Sequence, residues 1–189
     1  TSSNSRASER KRGVIMLTAD HGEEFLDHGR LCHGFTVHRE MVHVPLILET
    51  PEGRLPADRS IGHVDVPVGH IDVVPTMLDV VGALPVAAVV PVMGRSWLPW
   101  LSGDEPAPEK PLLASHGRHG RSIYRYREGS WVYLKTMYYD GRPEERALFD
   151  LSTDPTEQKN ILNEQQDRFA NISSRFEVLA QGLIKIRPD

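Results

Sequence analysis

The chain has 189 residues, a formal net charge of −4 and no basic stripe, which argues against nucleic acid as the main partner because phosphate binding needs clustered lysines and arginines. Its 39% of hydrophobic residues suffice for a globular core, and no apolar run reaches the roughly 20 residues of a membrane span. A single cysteine excludes an internal disulfide.

The first elements in chain order are a polar leader and two short apolar runs. Residues 1–12 are polar, and we expect them to be loose. Residues 13–19, "GVIMLTA", and residues 43–50, "HVPLILET", are typical of strands that are buried on both faces of a parallel sheet. Ligands bind beyond the carboxyl ends of such strands, and the polar stretch after the first run begins at that point.

The next elements are a helix and a short helical turn. Residues 70–85 predict a helix that ends near Gly82, and residues 94–103, "GRSWLPWLSG", predict a helical turn. The spacing of three and four residues gives the helix one apolar face, made of Ile71, Val74, Met77, Leu78 and Val81.

The last third of the sequence has a different pattern. Residues 122–139 alternate around a turn at Glu128 and Gly129, which predicts a β-hairpin. Residues 151–160, "LSTDPTEQKN", are typical of turns. Residues 163–186 predict a terminal amphipathic helix whose apolar face is made of Phe169, Ile172, Phe176, Leu179 and Leu183.

Residues 18–34, "TADHGEEFLDHGRLCHG", carry three histidines and four carboxylates. Asp20 offers a hard oxygen and His21 a borderline nitrogen, so the two are candidate ligands of one divalent cation. Gly22 allows a sharp backbone turn behind them. An isolated Asp-His pair would more simply cap a turn, but the position after a strand and the density of ligand atoms favour a metal site.

His33 is the candidate catalytic residue. It lies twelve residues after His21, and a loop of that length returns to its start at modest entropic cost. There it could bond an anionic substrate oxygen or donate a proton to a leaving group, although a loop histidine bonded to the backbone is the alternative. His28 and His116 are secondary candidates for substrate binding, and His28 has the stronger structural interpretation. Cys32 is interpreted as a packed or inert thiol, because sequence neighbours in a loop rarely face each other.

Four motifs in order resemble those of the sulfatase branch of the alkaline phosphatase superfamily. Residues 18–48 resemble its T/S-x-D-H/N-G-E motif and the segment that follows it. Residues 70–82, "HIDVVPTMLDVVG", resemble its D-x-x-P-T-x-L-D helix, and residues 94–103 its G-x-S-L-L-P-L-L stretch. Residues 147–162, "ALFDLSTDPTEQKNIL", resemble its closing L-Y-D-L-x-x-D-P-x-E-x-x-N-L motif.

The resemblance implies an α/β fold, an alkaline-phosphatase-like sandwich with a mixed, mainly parallel central sheet, a small C-terminal antiparallel sheet and a terminal helix. Residues 13–110 would then be the C-terminal part of the catalytic domain, and residues 111–189 a small α+β subdomain. It also implies hydrolysis of a small-molecule or glycan sulfate ester at a divalent metal, usually calcium.

The resemblance also assigns roles within the polar loop. Asp20 and His21 would be metal ligands, and His33 would take the place of the Lys or His that contacts the sulfate and assists the leaving group. His38 and His43 stand where Tyr and Arg are more usual. The nitrogen of His21 leaves manganese and zinc open as alternatives to calcium.

One part of the family's machinery has no counterpart in the sequence. The nucleophile of the family is a Cys or Ser in a C/S-x-P-S/T-R motif, oxidised to formylglycine, whereas Cys32 is followed by "HGFT". We therefore expect this chain to be the C-terminal portion of a longer enzyme and to need its N-terminal half. Alone it should have negligible activity, weak metal affinity and exposed apolar sheet edges.

Two alternatives stay open at this point. A phosphodiesterase, a phosphonate hydrolase or a phosphoethanolamine transferase of the same superfamily would keep the fold and use zinc or manganese. A non-catalytic fragment would keep only the second half of the fold. The compartment is open among periplasmic, secreted and cytoplasmic.

Overall fold

The computed structural model describes residues 13–56, 62–83 and 93–184. The predicted leader over residues 1–12 lies outside this range. The strands are Ile15–Thr18 (β1), Glu24–Phe25 (β2), Leu31–Cys32 (β3), Leu46–Glu49 (β4), Leu112–Arg118 (β5), Arg121–Glu128 (β6), Trp131–Tyr138 (β7) and Glu145–Asp150 (β8); the α-helices are Arg39–Val42 (α1), Val73–Val80 (α2), Leu98–Ser102 (α3) and Gln166–Ile184 (α4).

The chain divides into two compact units. The first comprises Thr1–Ala19 with Pro45–Pro108, and the second Asp20–Val44 with Glu109–Asp189. The candidate residues of the polar loop all belong to the second unit. The division into domains between residues 110 and 111 stays a prediction.

The first unit contains a two-stranded ribbon instead of the expected parallel sheet. Strands β1 and β4 were predicted, but they pair antiparallel, with Ile15 opposite Glu49 and Thr18 opposite Leu46. No parallel pair occurs among the described residues. A continuous apolar run predicts a strand but not its pairing direction, and parallel neighbours need a crossover connection of a dozen or more residues, usually a helix. The helix between these two strands, α1, has four residues.

Burial on both faces was also the wrong expectation for β1 and β4. Ile15, Leu17 and Ile47 are 60%, 52% and 59% exposed. These three side chains share one face of the two-stranded ribbon, and that face is not buried. The expected exposure of apolar sheet surface is therefore confirmed.

The helix predicted over residues 70–85 begins with a 3₁₀ turn at His70–Asp72 and continues as α2. It stops as predicted, because Gly82 adopts φ +75° and its N–H donates to the Asp79 carbonyl. Its predicted apolar face is wrong: Ile71, Val74 and Val81 are exposed, whereas Asp72, Thr76 and Val80 are buried.

The reason is a set of hydrogen bonds to the turn before α3. The Asp72 carboxylate accepts the Arg95 N–H at 2.9 Å, and the Thr76 hydroxyl accepts the Trp97 N–H at 3.0 Å. Since these backbone donors need acceptors, the face that carries Asp72, Thr76 and Val80 packs inward. The predicted helical turn is confirmed as α3.

The second unit is built on a four-stranded antiparallel sheet in the order β5-β6-β7-β8. The predicted hairpin is confirmed, with β6 and β7 in register from Arg121 opposite Tyr138 to Glu128 opposite Trp131. The predicted terminal helix is confirmed as α4, and it covers one face of the sheet. The apolar cluster between them consists of Tyr126, Tyr133, Leu148, Ile172 and Phe176, and burial raises the pKa of Tyr133 to about 12.

The other face of this sheet packs against the segment that follows the polar loop. Val37 joins Ile123, Val132, Leu134 and Phe149 in a second buried cluster. Arg121 donates to the Phe35 carbonyl at 2.7 Å. The C-terminal end of the polar loop is thus attached to the sheet. No helix in the described part of the chain has the length and hydrophobicity needed to cross a membrane.

Candidate active site

Asp20 and His21 lie directly after β1 and form an exposed pair. The Asp20 Oδ1 atom accepts the His21 N–H at 3.0 Å, and its Oδ2 atom lies 3.7 Å from His21 Nε2. His21 Nδ1 lies 2.8 Å from the Gly22 carbonyl oxygen. A carbonyl can only accept, so Nδ1 carries the hydrogen and Nε2 keeps a free lone pair. Two ligand atoms of one cation lie about 3–4 Å apart, so the Asp20 and His21 atoms have a spacing that suits two ligands of the same ion.

His33 returns to this pair, as the loop length predicted. Its ring centroid lies 4.4 Å from that of His21, with the rings tilted by 33°. Its Nδ1 atom lies 3.3 Å from both carboxylate oxygens of Glu23. The carboxylate thus orients the ring through Nδ1 and leaves Nε2 as the nitrogen that can meet a substrate. We call Asp20, His21, Glu23 and His33 the open cluster.

His116 and Arg118, at the end of β5, approach this cluster through Gly34. A Cβ atom at Gly34 would lie 3.5 Å from His116 Nε2 and 3.4 Å from Arg118 Nη1. Gly34 has φ +83°, in the region that favours glycine. The His116 Nε2 atom is buried and has no hydrogen-bond partner among the described residues. The structure thus brings His116 beside the residue that follows His33.

Gly22 is a point where the loop touches helix α1. Its N–H donates to the Met41 carbonyl at 2.9 Å. A Cβ atom there would lie 1.9 Å from the Glu40 carbonyl oxygen, closer than any real contact. Only glycine fits where the loop backbone passes helix α1 at position 22. The placement of Asp20 and His21 therefore depends on Gly22.

His28 lies in a different environment, with its side chain 14% exposed. Its Nδ1 atom lies 2.7 Å from Glu40 Oε1, and its Nε2 atom 2.9 Å from the Glu157 carbonyl. Its ring stacks on His38 at 3.6 Å. Burial opposes its charge, but the Glu157 carbonyl and the Glu40 carboxylate outweigh burial, so the pKa of His28 is raised. Both nitrogens are engaged, and a substrate contact by His28 stays a prediction.

Glu157, in the closing "TDPTE" motif, holds this region onto the sheet. Its buried carboxylate pairs with Arg125 of β6 at 2.6 Å and with His38 Nδ1 at 3.0 Å, and it accepts the Arg39 N–H at 3.2 Å. Burial alone would raise the pKa of Glu157, but His38 and Arg125 hold it at about 2. Glu157 adopts φ +59° to make these contacts.

Glu24 lies next to His28 and Glu40. It is fully buried, and its Oε1 atom accepts the Thr36 hydroxyl at 2.7 Å. Its Oε2 atom is buried and has no hydrogen-bond partner within the described ranges. We call Glu24, His28 and Glu40 the closed cluster.

Several of these residues were missed in the sequence. Glu23 and Glu24 counted only as carboxylates near the histidines, and the T/S-x-D-H/N-G-E resemblance, whose final position falls on Glu23, could have singled that residue out. Arg118 carries no motif and is found only through the pairing of β5. Cys32 is exposed, so the packed alternative for this thiol is wrong.

Known proteins are similar in sequence to the polar loop and to much of the remaining chain. Residues 5–83 match the family model described as Sulfatase. Arylsulfatase K of Mus musculus is 34% identical over 165 residues, covering 82% of this chain and 28% of that protein. The delta 4,5-hexuronate-2-O-sulfatase of Bacteroides thetaiotaomicron is 28% identical over 152 residues, covering 78% of this chain and 30% of that protein.

Solved structures share the fold. One, determined in complex with its substrate D-glucosamine-2-N,6-O-disulfate, matches with a TM-score of 0.73 at 20% identity, covering 93% of this chain and 35% of that chain. The phosphonate monoester hydrolase of Agrobacterium radiobacter matches with a TM-score of 0.68 at 18% identity, covering 89% and 35%. At such identities these likenesses show the fold alone.

The chain belongs to the sulfatase family of the alkaline phosphatase superfamily, and it aligns with the C-terminal portion of arylsulfatase K and of bacterial sulfatases. It spans 28% and 30% of the length of the two curated relatives named above.

Proposed function

We propose that this chain supplies two metal ligands and the leaving-group acid of a sulfuric ester hydrolase. The nucleophile, of the formylglycine type, would come from a segment outside residues 1–189, since no C/S-x-P-S/T-R motif occurs in the sequence. The observation that carries the proposal is the open cluster, in which the Asp20 Oδ2 and His21 Nε2 atoms lie 3.7 Å apart with the His33 ring beside them.

Asp20 and His21 fit a divalent cation. The Gly22 carbonyl holds the Nδ1 hydrogen of His21, which is the kind of second contact that orients a metal-bound imidazole. A cation bound there would polarise a sulfate oxygen as a Lewis acid. Calcium agrees with the carboxylate, and manganese or zinc with the nitrogen. Two ligands hold a hard cation weakly against water, so further ligands would come from the segment that carries the nucleophile.

We assign the leaving-group proton to His33. Glu23 accepts the Nδ1 hydrogen at 3.3 Å and stabilises the imidazolium, as a carboxylate partner does in acid–base catalysis. His33 Nε2 would then give its proton to the alcohol oxygen as the S–O bond breaks. Glu23 acts through His33 and is therefore a positioning residue.

Substrate contacts would come from the end of β5. His116 has a buried nitrogen without a partner among the described residues, and the guanidinium of Arg118 lies beside it at Gly34. A cationic side chain and an imidazole suit an anionic ester or a sulfated sugar. His28 belongs to the closed cluster instead, where both of its nitrogens are engaged by protein atoms.

The second candidate is a phosphonate or phosphate ester hydrolase of the same superfamily. The nitrogen ligand His21 favours it, because imidazole suits zinc and manganese, and the fold is shared with a phosphonate monoester hydrolase. The nucleophile separates the two: Cys or Ser in the C/S-x-P-S/T-R motif indicates sulfate transfer, and Thr indicates phosphoryl transfer.

The test uses the coding sequence immediately upstream of Thr1 and the continuous protein that it encodes. We expect the Cys or Ser motif there, and a higher kcat/KM for an aryl sulfate than for an aryl phosphonate monoester. Asp20→Asn should abolish the aryl sulfate activity, and His63→Ala, at an exposed histidine paired with Asp65, is the matched control. A higher kcat/KM for the phosphonate monoester would overturn the assignment to sulfate.

A further inference from the structure

The closed cluster is a second place where ligand atoms converge. One ligand atom each from Glu24, His28 and Glu40 lies within 4.8 Å of the other two. The three residues come from β2, the β2–β3 turn and α1. Unlike the open cluster, this group is buried or nearly so.

The orientation of His28 suits metal binding. Its Nε2 atom faces the Glu157 carbonyl at 2.9 Å, so Nε2 carries a hydrogen. The Nδ1 atom faces the carboxylate of Glu40 at 2.7 Å, so without an ion it donates a hydrogen to that carboxylate, and a bound cation would replace this hydrogen. An imidazole held through one nitrogen by a backbone carbonyl, with the other turned to carboxylates, is the arrangement found at protein-bound zinc.

Glu24 provides an independent observation. Its side chain is 0% exposed, and its Oε2 atom has no hydrogen-bond partner within the described ranges. Burying a carboxylate oxygen costs free energy unless a cation or a hydrogen-bond donor contacts it. Thr36 donates only to Oε1. Together with Glu40, the closed cluster contains two carboxylates and one imidazole, so its negative charge can balance a divalent cation.

We propose that Glu24, His28 and Glu40 bind a structural divalent cation of the zinc class, separate from the cation proposed at Asp20 and His21. One imidazole and two carboxylates form a nitrogen–oxygen ligand set that suits zinc or manganese better than calcium. The ion joins the β2–β3 hairpin to α1 and thereby fixes the loop that carries the open cluster.

The experiment measures zinc binding by titration calorimetry in the 189-residue chain. The starting variant is Asp20→Asn/His21→Gln/His33→Gln, which removes the open cluster. We expect it to bind one zinc ion, and Glu24→Gln added to it should weaken binding at least tenfold. Glu164→Gln, at an exposed carboxylate paired with Lys159, is the matched control and should leave binding unchanged. If the starting variant binds zinc with the same affinity before and after the Glu24→Gln substitution, the proposal is overturned.

A second measurement guards against a variant that fails to fold. X-ray absorption at the zinc edge of the starting variant should show one imidazole in a shell of otherwise oxygen ligands. A shell without imidazole, or no bound zinc, overturns the proposal. Both readouts are independent of ester hydrolysis, so a failure here and a failure of the proposed function are distinguishable.

Discussion

Two groups of histidines and carboxylates from the same stretch of sequence differ in exposure. In the open cluster, the side chains of Asp20 and His33 are 90% and 49% exposed; in the closed cluster, those of His28 and Glu40 are 14% and 15% exposed. Exposed groups can meet a substrate, whereas buried ones must be satisfied by protein atoms or an ion. We therefore propose chemistry for the open cluster and a structural role for the closed cluster, although both use the same residue types.

Glu23 and Glu24 show how the division arises. They are neighbours in sequence, but successive side chains of an extended chain point to opposite sides. Glu23 therefore reaches His33, while Glu24 is buried with Thr36. Single substitutions can test whether the two groups contribute independently to stability and activity.

The largest expected effect on stability is at Glu157, which holds the region of the closed cluster onto the sheet. Glu157→Gln leaves Arg125 buried without its carboxylate partner, so we expect a loss of about 3–5 kcal/mol in the free energy of unfolding. Urea denaturation monitored by circular dichroism measures this loss. Glu164→Gln, at an exposed carboxylate, should change stability by less than about 0.5 kcal/mol, and equal stability of the two variants would contradict the account.

Glu157 also predicts the acid limb of stability. Its pKa is lowered in the folded state from 4.5 to about 2. The stabilisation is therefore present above pH 4.5 and is lost as the pH falls from 4.5 toward 2. A stability profile over this window should be steep for the wild type and flatter for Glu157→Gln. Parallel profiles would show that another group causes the acid limb.

Gly22 is next in expected effect, because it connects the open cluster to α1. In Gly22→Ala the new Cβ would lie 1.9 Å from the Glu40 carbonyl, and we expect a loss of about 2–3 kcal/mol as the backbone shifts. Gly117→Ala is the control, since its Cβ would lie at an ordinary 3.7 Å from Ser122 Oγ. If both variants unfold at the same urea concentration, the contact of Gly22 with the Glu40 carbonyl is not as close as 1.9 Å implies.

A smaller effect is expected at Thr36. Thr36→Val removes the donor to Glu24 Oε1 and should cost about 1–2 kcal/mol without added metal. If the closed cluster binds zinc, saturating zinc should recover part of this loss, because the ion supplies positive charge to the same carboxylate. Thr156→Val, whose hydroxyl makes an exposed 3.4 Å contact to Asp154, is the control that zinc should not affect.

Much of the fold could be predicted from local pattern. The hairpin of β6 and β7, helix α4 and the stop at Gly82 follow from alternation, helical spacing and glycine chemistry. The direction of pairing between β1 and β4 could not, because an apolar run is the same in a parallel sheet and in an antiparallel ribbon. The inward face of α2 could not either, since Thr76 is buried by hydrogen bonds rather than by hydrophobicity.

The grouping of side chains in the polar loop was predictable to a similar extent, whereas their roles stay predictions. Asp20, His21 and His33 stood out because short loops bring close sequence neighbours together. The contact of His28 with the Glu157 carbonyl spans 129 residues, and the pair of Arg125 and Glu157 joins β6 to a turn beyond β8. Such contacts depend on the fold of the whole unit, so no local spacing indicates them.

His33→Ala in a continuous protein that includes the nucleophile tests directly whether the open cluster is catalytic. We expect kcat for aryl sulfate hydrolysis to fall by about 10²–10⁴, while the free energy of unfolding changes by less than about 0.5 kcal/mol, because His33 is exposed. Retained kcat, or a loss of activity that only follows a loss of stability, would contradict the assignment of chemistry to the open cluster.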